Sequence, residues 1–310
     1  MMALGRRRLE VALGGLWLLD GVLQLQPHMW TAAYFSNTLG MGDMGLPAPA
    51  AGLDYGVTTM LVSHPLAWNT LFAGLQLGPG IALVRGGRAA SVARPLSIAW
   101  AFGVWYLGEG FGGIFMGGAS VLNGAPGAAL FYGLLTLAVR PARGPEDPAR
   151  VRRRALIVWS TLWLCVALLE TAGTNRMSFV PGAEIRDAGP GEPGWLTALD
   201  RAVGNAVGMH GAAFALALGL LATGLATAPL RRSLLRPALG AGVVLGLFLG
   251  LVGGGFGGLM TGSATDPGLA PIFLLLGFGA WPPAPELEGD RPRPEPARLP
   301  EGQPIALPAA

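Results

Sequence analysis

The chain of 310 residues contains no lysine, one cysteine, three histidines and few charges of any kind. Each shortage excludes something. Without lysine there is no Gly-Lys-Ser/Thr phosphate loop, and all the positive charge is arginine. A lone cysteine, Cys165, makes neither an internal disulfide nor a multi-cysteine metal site; in an apolar run it reads as a small buried hydrophobe. His-Glu-x-x-His and Gly-x-Ser-x-Gly patterns are missing, which removes the zinc-protease helix and the hydrolase nucleophile elbow. Charged residues make up 13% of the chain, against about a quarter in a soluble domain. No basic stripe is interleaved with aromatics. The net charge of +3 and pI near 9.6 therefore do not mark a nucleic-acid-binding face.

What remains is apolar: 52% hydrophobic residues and a mean hydropathy of +0.50. These point to a bilayer as the solvent. Apolar windows fall at 9–26, 65–84, 95–117, 126–140, 155–173, 204–228, 237–261 and 267–281. The expectation is an all-α membrane protein of eight transmembrane helices, with a short fourth and eighth span. Arg6 to Arg8 precede an apolar run that carries Glu10 and Asp20 and no small-residue cleavage site, so this run reads as a retained span rather than a signal peptide.

Arginine sets the orientation. Arg6 to Arg8, Arg85, Arg88, Arg94, Arg140, Arg143, Arg150, Arg152 to Arg154, Arg231, Arg232 and Arg236 fall on one side under alternating topology, and only Arg176, Arg186 and Arg201 on the other. The positive-inside rule puts the first set, and both termini, in the cytoplasm of a plasma membrane. Trp30, Trp68 and Trp195 fall at outer ends and Trp281 at the last inner end, as interfacial aromatics do.

An internal repeat is expected. Leu16-Trp17-Leu18 recurs as Leu162-Trp163-Leu164, Leu23-Gln24 faces Leu169-Glu170, and Gly110-Phe111-Gly112-Gly113 recurs as Gly255-Phe256-Gly257-Gly258. Asn69 is matched with Asn205. Outer loops at about 28–63 and 174–203 follow the first span of each half. The reading is one four-helix repeat at 1–142, a basic cytoplasmic linker at 143–154, a second repeat at 155–281 and a disordered Pro-rich tail at 282–310. Gly242, Gly246, Gly250, Gly254 and Gly258 form a four-residue stripe for close helix approach. Leu77-Gly78-Pro79-Gly80 predicts a kink. Gly108-Glu109-Gly110-Phe111-Gly112-Gly113 has the look of a nucleotide loop but lies within a span.

Two constellations could carry chemistry. Asp20, Glu109 and Glu170 lie inside spans, about 16, 21 and 22 Å from the inner ends at 1.5 Å per residue. A charge there costs at least about 2.5 kcal/mol, so each acid is protonated, paired or facing a wet cavity. Gln24, one turn above Asp20, Gln76 and Arg176 are candidate partners. A cavity open to the outside, lined by Asp20, Gln24, Gln76, Glu109 and Glu170, competes with plain interhelical hydrogen bonding. The second constellation is soft: His28-Met29, Met60-x-x-x-His64 and Met209-His210 pair imidazole with thioether near outer ends, which suits Cu(I). Met41, Met44, Met116, Met177 and Met260 fall there too. Gap-filling methionine in apolar loops is the alternative.

Arg8-Leu9, Leu13-Gly14-Gly15, Asp20-Gly21-Val22-Leu23-Gln24 and Pro27 resemble the first span of the DoxX/DoxD-type four-helix membrane module. Leu71-Phe72-Ala73-Gly74-Leu75 through Gly80-Ile81-Ala82-Leu83 is similar to its second. The resemblance implies a four-span bundle and, in some members, association with quinone or thiosulfate redox chemistry. The duplication and long outer loops depart from that pattern, and no active residue carries over. The leading expectation is a membrane protein handling a small ligand or ion, copper among them, from the outer face. A subunit of a membrane oxidoreductase and a structural or assembly factor are the alternatives.

Overall fold

The computed structural model describes residues 4–39, 45–141, 147–187 and 191–283. Among the described residues every regular element is helical. The first half comprises α1 (Arg6–Leu23), α2 (Ala48–Ser63), α3 (Pro65–Arg85), α4 (Gly87–Leu107) and α5 (Ala128–Ala138). The second comprises α6 (Pro148–Glu170), α7 (Val180–Arg186), α8 (Gly194–Val207), α9 (Gly211–Thr227), α10 (Arg232–Leu251) and α11 (Ala270–Ala280). Two stretches, Gly211–Leu230 and Arg232–Leu251, are long and apolar enough to cross a membrane.

Helices α1 to α5 of the first half recur in order as α6, α8, α9, α10 and α11 of the second, with α7 added. A Gly-Phe-Gly-Gly turn follows α4 and α10, and the phenylalanine takes a left-handed backbone, φ 57° at Phe111 and 53° at Phe256. A Cβ on the following glycine would meet the chain just before the last helix: Gly112 lies against the Pro126 carbonyl and Gly257 against that of Asp266. Only glycine fits these two positions.

α1 packs along α3 through bare backbone, since a Cβ on Gly14 would stand 2.9 Å from the Gly80 carbonyl oxygen. At the arginine-rich end, buried Glu10 accepts from Arg94 at 2.6 Å and from Arg6 and Arg7 at 3.3 Å. Arg7 also donates to the carbonyls of Leu83 and Val84, Arg154 to Arg140 and Arg236 to Pro283. This end is tied by guanidinium groups satisfying helix C-termini.

The halves close differently. In the second, α11 lies along α6, and Trp159, Trp163 and Phe273 fill the seam, with Trp163 and Phe273 rings 4.7 Å apart. In the first, α5 barely touches α1. Trp17, at the position matching Trp163, instead donates to Ser97 Oγ at 2.7 Å and stacks edge-on with Tyr132 at 5.1 Å.

Several boundaries differ from expectation because hydropathy does not register glycine breaks. The window at 204–228 is cut at Gly208, which has φ 47°. Asn205 therefore sits in α8 while Asn69 sits in α3, and the two are not equivalent. α4 starts well before 95 and stops at Leu107. α10 stops at Leu251, which leaves Gly254 and Gly258 off the stripe; Gly242, Gly246 and Gly250 do meet Trp159, Phe273 and Ala270. α3 stays one helix through Pro79. The segments expected as outer loops hold α2, α7 and most of α8. α6 reaches back into the expected linker, capped by the Asp147 carboxylate, which accepts from the Ala149 amide at 2.9 Å, with Pro148 at its first position. Met41, Met44, Arg143 and the tail from 284 onward lie outside the described residues.

The glycine stripe makes a direct prediction. A Cβ at Gly246 would sit 2.3 Å from Phe273, whereas one at Gly240 meets nothing within 4 Å. Gly246→Val should destabilise by about 1–3 kcal/mol through overpacking, while Gly240→Ala is neutral or gains up to about 1 kcal/mol. Thermal unfolding of the two purified variants checks this; equal midpoints would refute the packing role.

Candidate ligand cavity

α1 presents Trp17, Asp20 and Gln24 on one face, three and four residues apart. α3 presents Trp68, Phe72 and Gln76 in the same way, α4 adds Trp100, Gly103, Val104 and Leu107, and α5 adds Ala128, Ala129 and Tyr132. Because the α1–α5 seam is open, these faces surround a cavity of about 320 Å³. Met60 of α2 and Tyr34 also border it, and Thr265 and Asp266 reach over from the second half as a roof.

Four expected residues converge here: Asp20, Gln24, Gln76 and Glu109. The Tyr132 hydroxyl donates to Asp20 Oδ1 at 3.5 Å. Gln24 Nε2 donates to Asn69 Oδ1 at 2.6 Å, and Asn69 Nδ2 returns a bond to the Gln24 carbonyl at 3.0 Å. Glu109 Oε1 accepts from the Ala129 amide at 3.1 Å and so caps α5, while its Oε2 is buried without a partner. Gln76 Oε1 and Trp100 Nε1 are buried and unpartnered too.

Glu170 does not join them. Fully buried, it accepts from Ser120 Oγ and the Val121 amide, both at 2.8 Å, and so holds a loop of the first half on the end of α6. Asn175 Nδ2 donates to the Ala119 carbonyl at 2.7 Å. In the opposite sense, Gln26 Nε2 at the end of α1 donates to the Ala264 carbonyl at 2.9 Å. Each half thus holds the other's loop. Arg176 does not line the cavity.

A second space of about 610 Å³, away from the arginine-rich end, lies where the two Gly-Phe-Gly-Gly loops meet, bordered by Gly112, Gly113, Gly127, Gly257 and Gly268. Glu109, Ala128 and Asp266 border both spaces. Asp266 Oδ1 accepts from the Gly268 amide at 2.7 Å and its Oδ2 from the Thr265 hydroxyl at 3.0 Å. Glu184, at this second space, is pushed up to about 7, by burial first and then by Glu170. Glu192 is likewise pushed up to about 7 by burial and by the adjacent Asp200.

The soft-ligand candidates do not gather. Met29 is packed among Tyr34, Phe35, Leu39 and Leu61, and the His28 ring stands edge-on to Tyr34 at 5.9 Å. His64 is exposed, with Nδ1 bonded to Ser63 Oγ; Met209 and His210 are exposed between α8 and α9. Of the six only Met60 lines the cavity. Among the described residues no group of three or more His, Cys, Asp or Glu side chains is arranged to hold a metal ion.

Sequence reasoning missed Tyr132, Asp266 and the aromatic walls. It also missed Asp54 and Asp200, both buried, although Leu53-Asp54 and Leu199-Asp200 share the 146-residue offset that links the two Leu-Trp-Leu motifs. No family model, curated protein or solved structure matches the chain, so the cavity's chemistry is read from its own geometry.

A carboxyl group whose pKa is raised by folding stabilises fully below its unfolded value near 4.5 and loses that contribution as pH rises through its folded value. With Glu184 and Glu192 both at about 7, the unfolding midpoint should fall as pH rises from about 4.5 to 7 and level off above that. Glu184→Gln should flatten part of that fall, and Glu184→Gln with Glu192→Gln more of it. An unchanged slope in the double variant would rule out these two groups as its source.

Proposed function

We propose that the chain is a multi-pass membrane protein of eight helical passages in two tandem halves, with both termini cytoplasmic. On this reading it binds a small ligand entering from the outer face. The observation that carries the reading is the convergence of Asp20, Gln24, Gln76 and Glu109 on one aromatic-walled cavity. Membrane placement is supported by large apolar side chains turned outward, Val92, Leu168, Leu220 and Val244 among them, and by arginines tied together at one end of the bundle.

α5 and α11, at 11 residues each, rise about 16 Å, half of a hydrocarbon core of about 30 Å. Their passages are completed by the glycine-rich segments around the second space. Irregular backbone at that depth is tolerated where it lines a cavity, and short helices opening at mid-depth are a transporter device. The second space supplies the path, with Glu109 and Asp266 at the boundary. The repeated Gly-Phe-Gly-Gly turn and reciprocal loop exchange support duplication. The DoxX/DoxD resemblance implies a quinone as the competing occupant, favoured by the aromatic walls; copper gains no geometric support.

Two measurements test the reading. In a Cys165→Ala background, a membrane-impermeant maleimide added to intact cells should label Met209→Cys but label Ser91→Cys only after permeabilisation; the reverse pattern would overturn the orientation. Gly103 borders the cavity, and a Cβ there meets nothing within 4 Å, so Gly103→Trp should fill the space without disturbing the fold. Native mass spectrometry of protein extracted with its lipids should find a small molecule on the unaltered chain and none on Gly103→Trp. Equal occupancy would place the ligand elsewhere.

A further inference from the structure

Resting on the cavity reading above, we infer that its ligand is an organic cation: an ammonium group bearing N–H donors, attached to a compact apolar or aryl body that carries one hydrogen-bond acceptor. The lining leaves several hydrogen-bonding groups unmet. Gln76, 7% exposed, has a buried Oε1 without a donor, and so does Glu109 Oε2. Asp20 receives a single long bond, from Tyr132 at 3.5 Å. A carboxylate or amide oxygen buried in this way calls for a donor from the ligand. The unmet group of opposite kind is Trp100 Nε1, which accounts for the one acceptor.

Asp20, Glu109 and Asp266 border the cavity, and among the described residues no arginine, lysine or histidine does. The contrast along α1 is direct: Glu10 is met by three arginines, while Asp20, ten residues further on, has none. The positive charge that this site lacks is therefore left for the ligand to bring.

Trp17, Trp68, Trp100, Phe72, Tyr34 and Tyr132 enclose the space, with the Phe72 and Trp100 rings 5.0 Å apart. Aromatic faces beside carboxyl groups are the surroundings that hold alkylammonium cations. A neutral quinone would set its carbonyl oxygens against these carboxyl oxygens and gains less from the same walls. A hydrated inorganic cation makes no use of six aromatic rings.

Tryptophan fluorescence reads the site directly, because three tryptophans border it. The unaltered, full-length protein in lipid nanodiscs is titrated with 2-amino-1-phenylethanol, with 1-phenyl-1,2-ethanediol, which replaces the ammonium by a hydroxyl, with mandelate, which replaces it by a carboxylate, and with ubiquinone-1. The amine should bind at least about tenfold more tightly than the diol, and mandelate should not bind. Asp20→Asn should bring amine and diol to similar affinities while diol binding persists. If the diol, mandelate or the quinone binds as tightly as the amine, the cation assignment is overturned and the cavity reading survives. If none of the four perturbs the fluorescence of folded protein, both fail. The comparison on the unaltered chain stands even where Asp20→Asn does not fold.

Discussion

The architecture depends on an exchange of loops between its halves. The segment after the first Gly-Phe-Gly-Gly turn is held at the end of α6 by Glu170 and Asn175, and the segment after the second is held at the end of α1 by Gln26. A carboxylate that accepts from a hydroxyl and a backbone amide in a buried setting is worth roughly twice a neutral bond, and removing it would strand both donors. Without this exchange the cavity in the first half has no roof, since Thr265 and Asp266 come from the second. Glu170, one of the acids that sequence reasoning set beside Asp20, serves the site at a distance by fixing the frame around it.

The two halves then divide the work. Trp17 and Trp163 occupy matching places, yet one faces an open seam and the other a filled one. The difference lies in their neighbours. Ser97 gives Trp17 a hydroxyl partner, whereas Gly242 lets Trp163 sink against bare helix, where its indole nitrogen has no partner and Phe273 covers its ring. α11 can lie close along α10 because Gly246 and Gly250 remove the side chains that would hold it off. In the first half α5 stands away from α1, and the gap is lined instead of packed.

Much of this was legible from residue order. The apolar window at 65–84 became α3 (Pro65–Arg85), and the repeat signals at Leu16-Trp17-Leu18 and at Gly-Phe-Gly-Gly fell on matching elements. Asp20, Gln24 and Gln76 were found because polar groups stand out in apolar runs. What escaped was whatever depends on backbone conformation or on contact across the chain. A hydropathy window averages over Gly208 and so joined α8 to α9 and misplaced Asn205. Asp266 sits in a short loop, where an acid looks ordinary; its place at the cavity follows from the loop exchange, which pairs residues more than two hundred positions apart. Soft ligands were grouped because they share a level along the bundle, but residues at one level can lie on opposite sides of it.

The borrowed roof has a mechanical consequence. Whatever occupies the first-half cavity touches residues of both halves at once, so its binding energy is also docking energy between them. By linkage, occupancy and half-to-half docking rise and fall together. A molecule bound in the cavity would make the pair tighter than the empty protein, and a change that weakens Glu170's grip on Ser120, on the far side of the pair, would weaken the hold on that molecule as well.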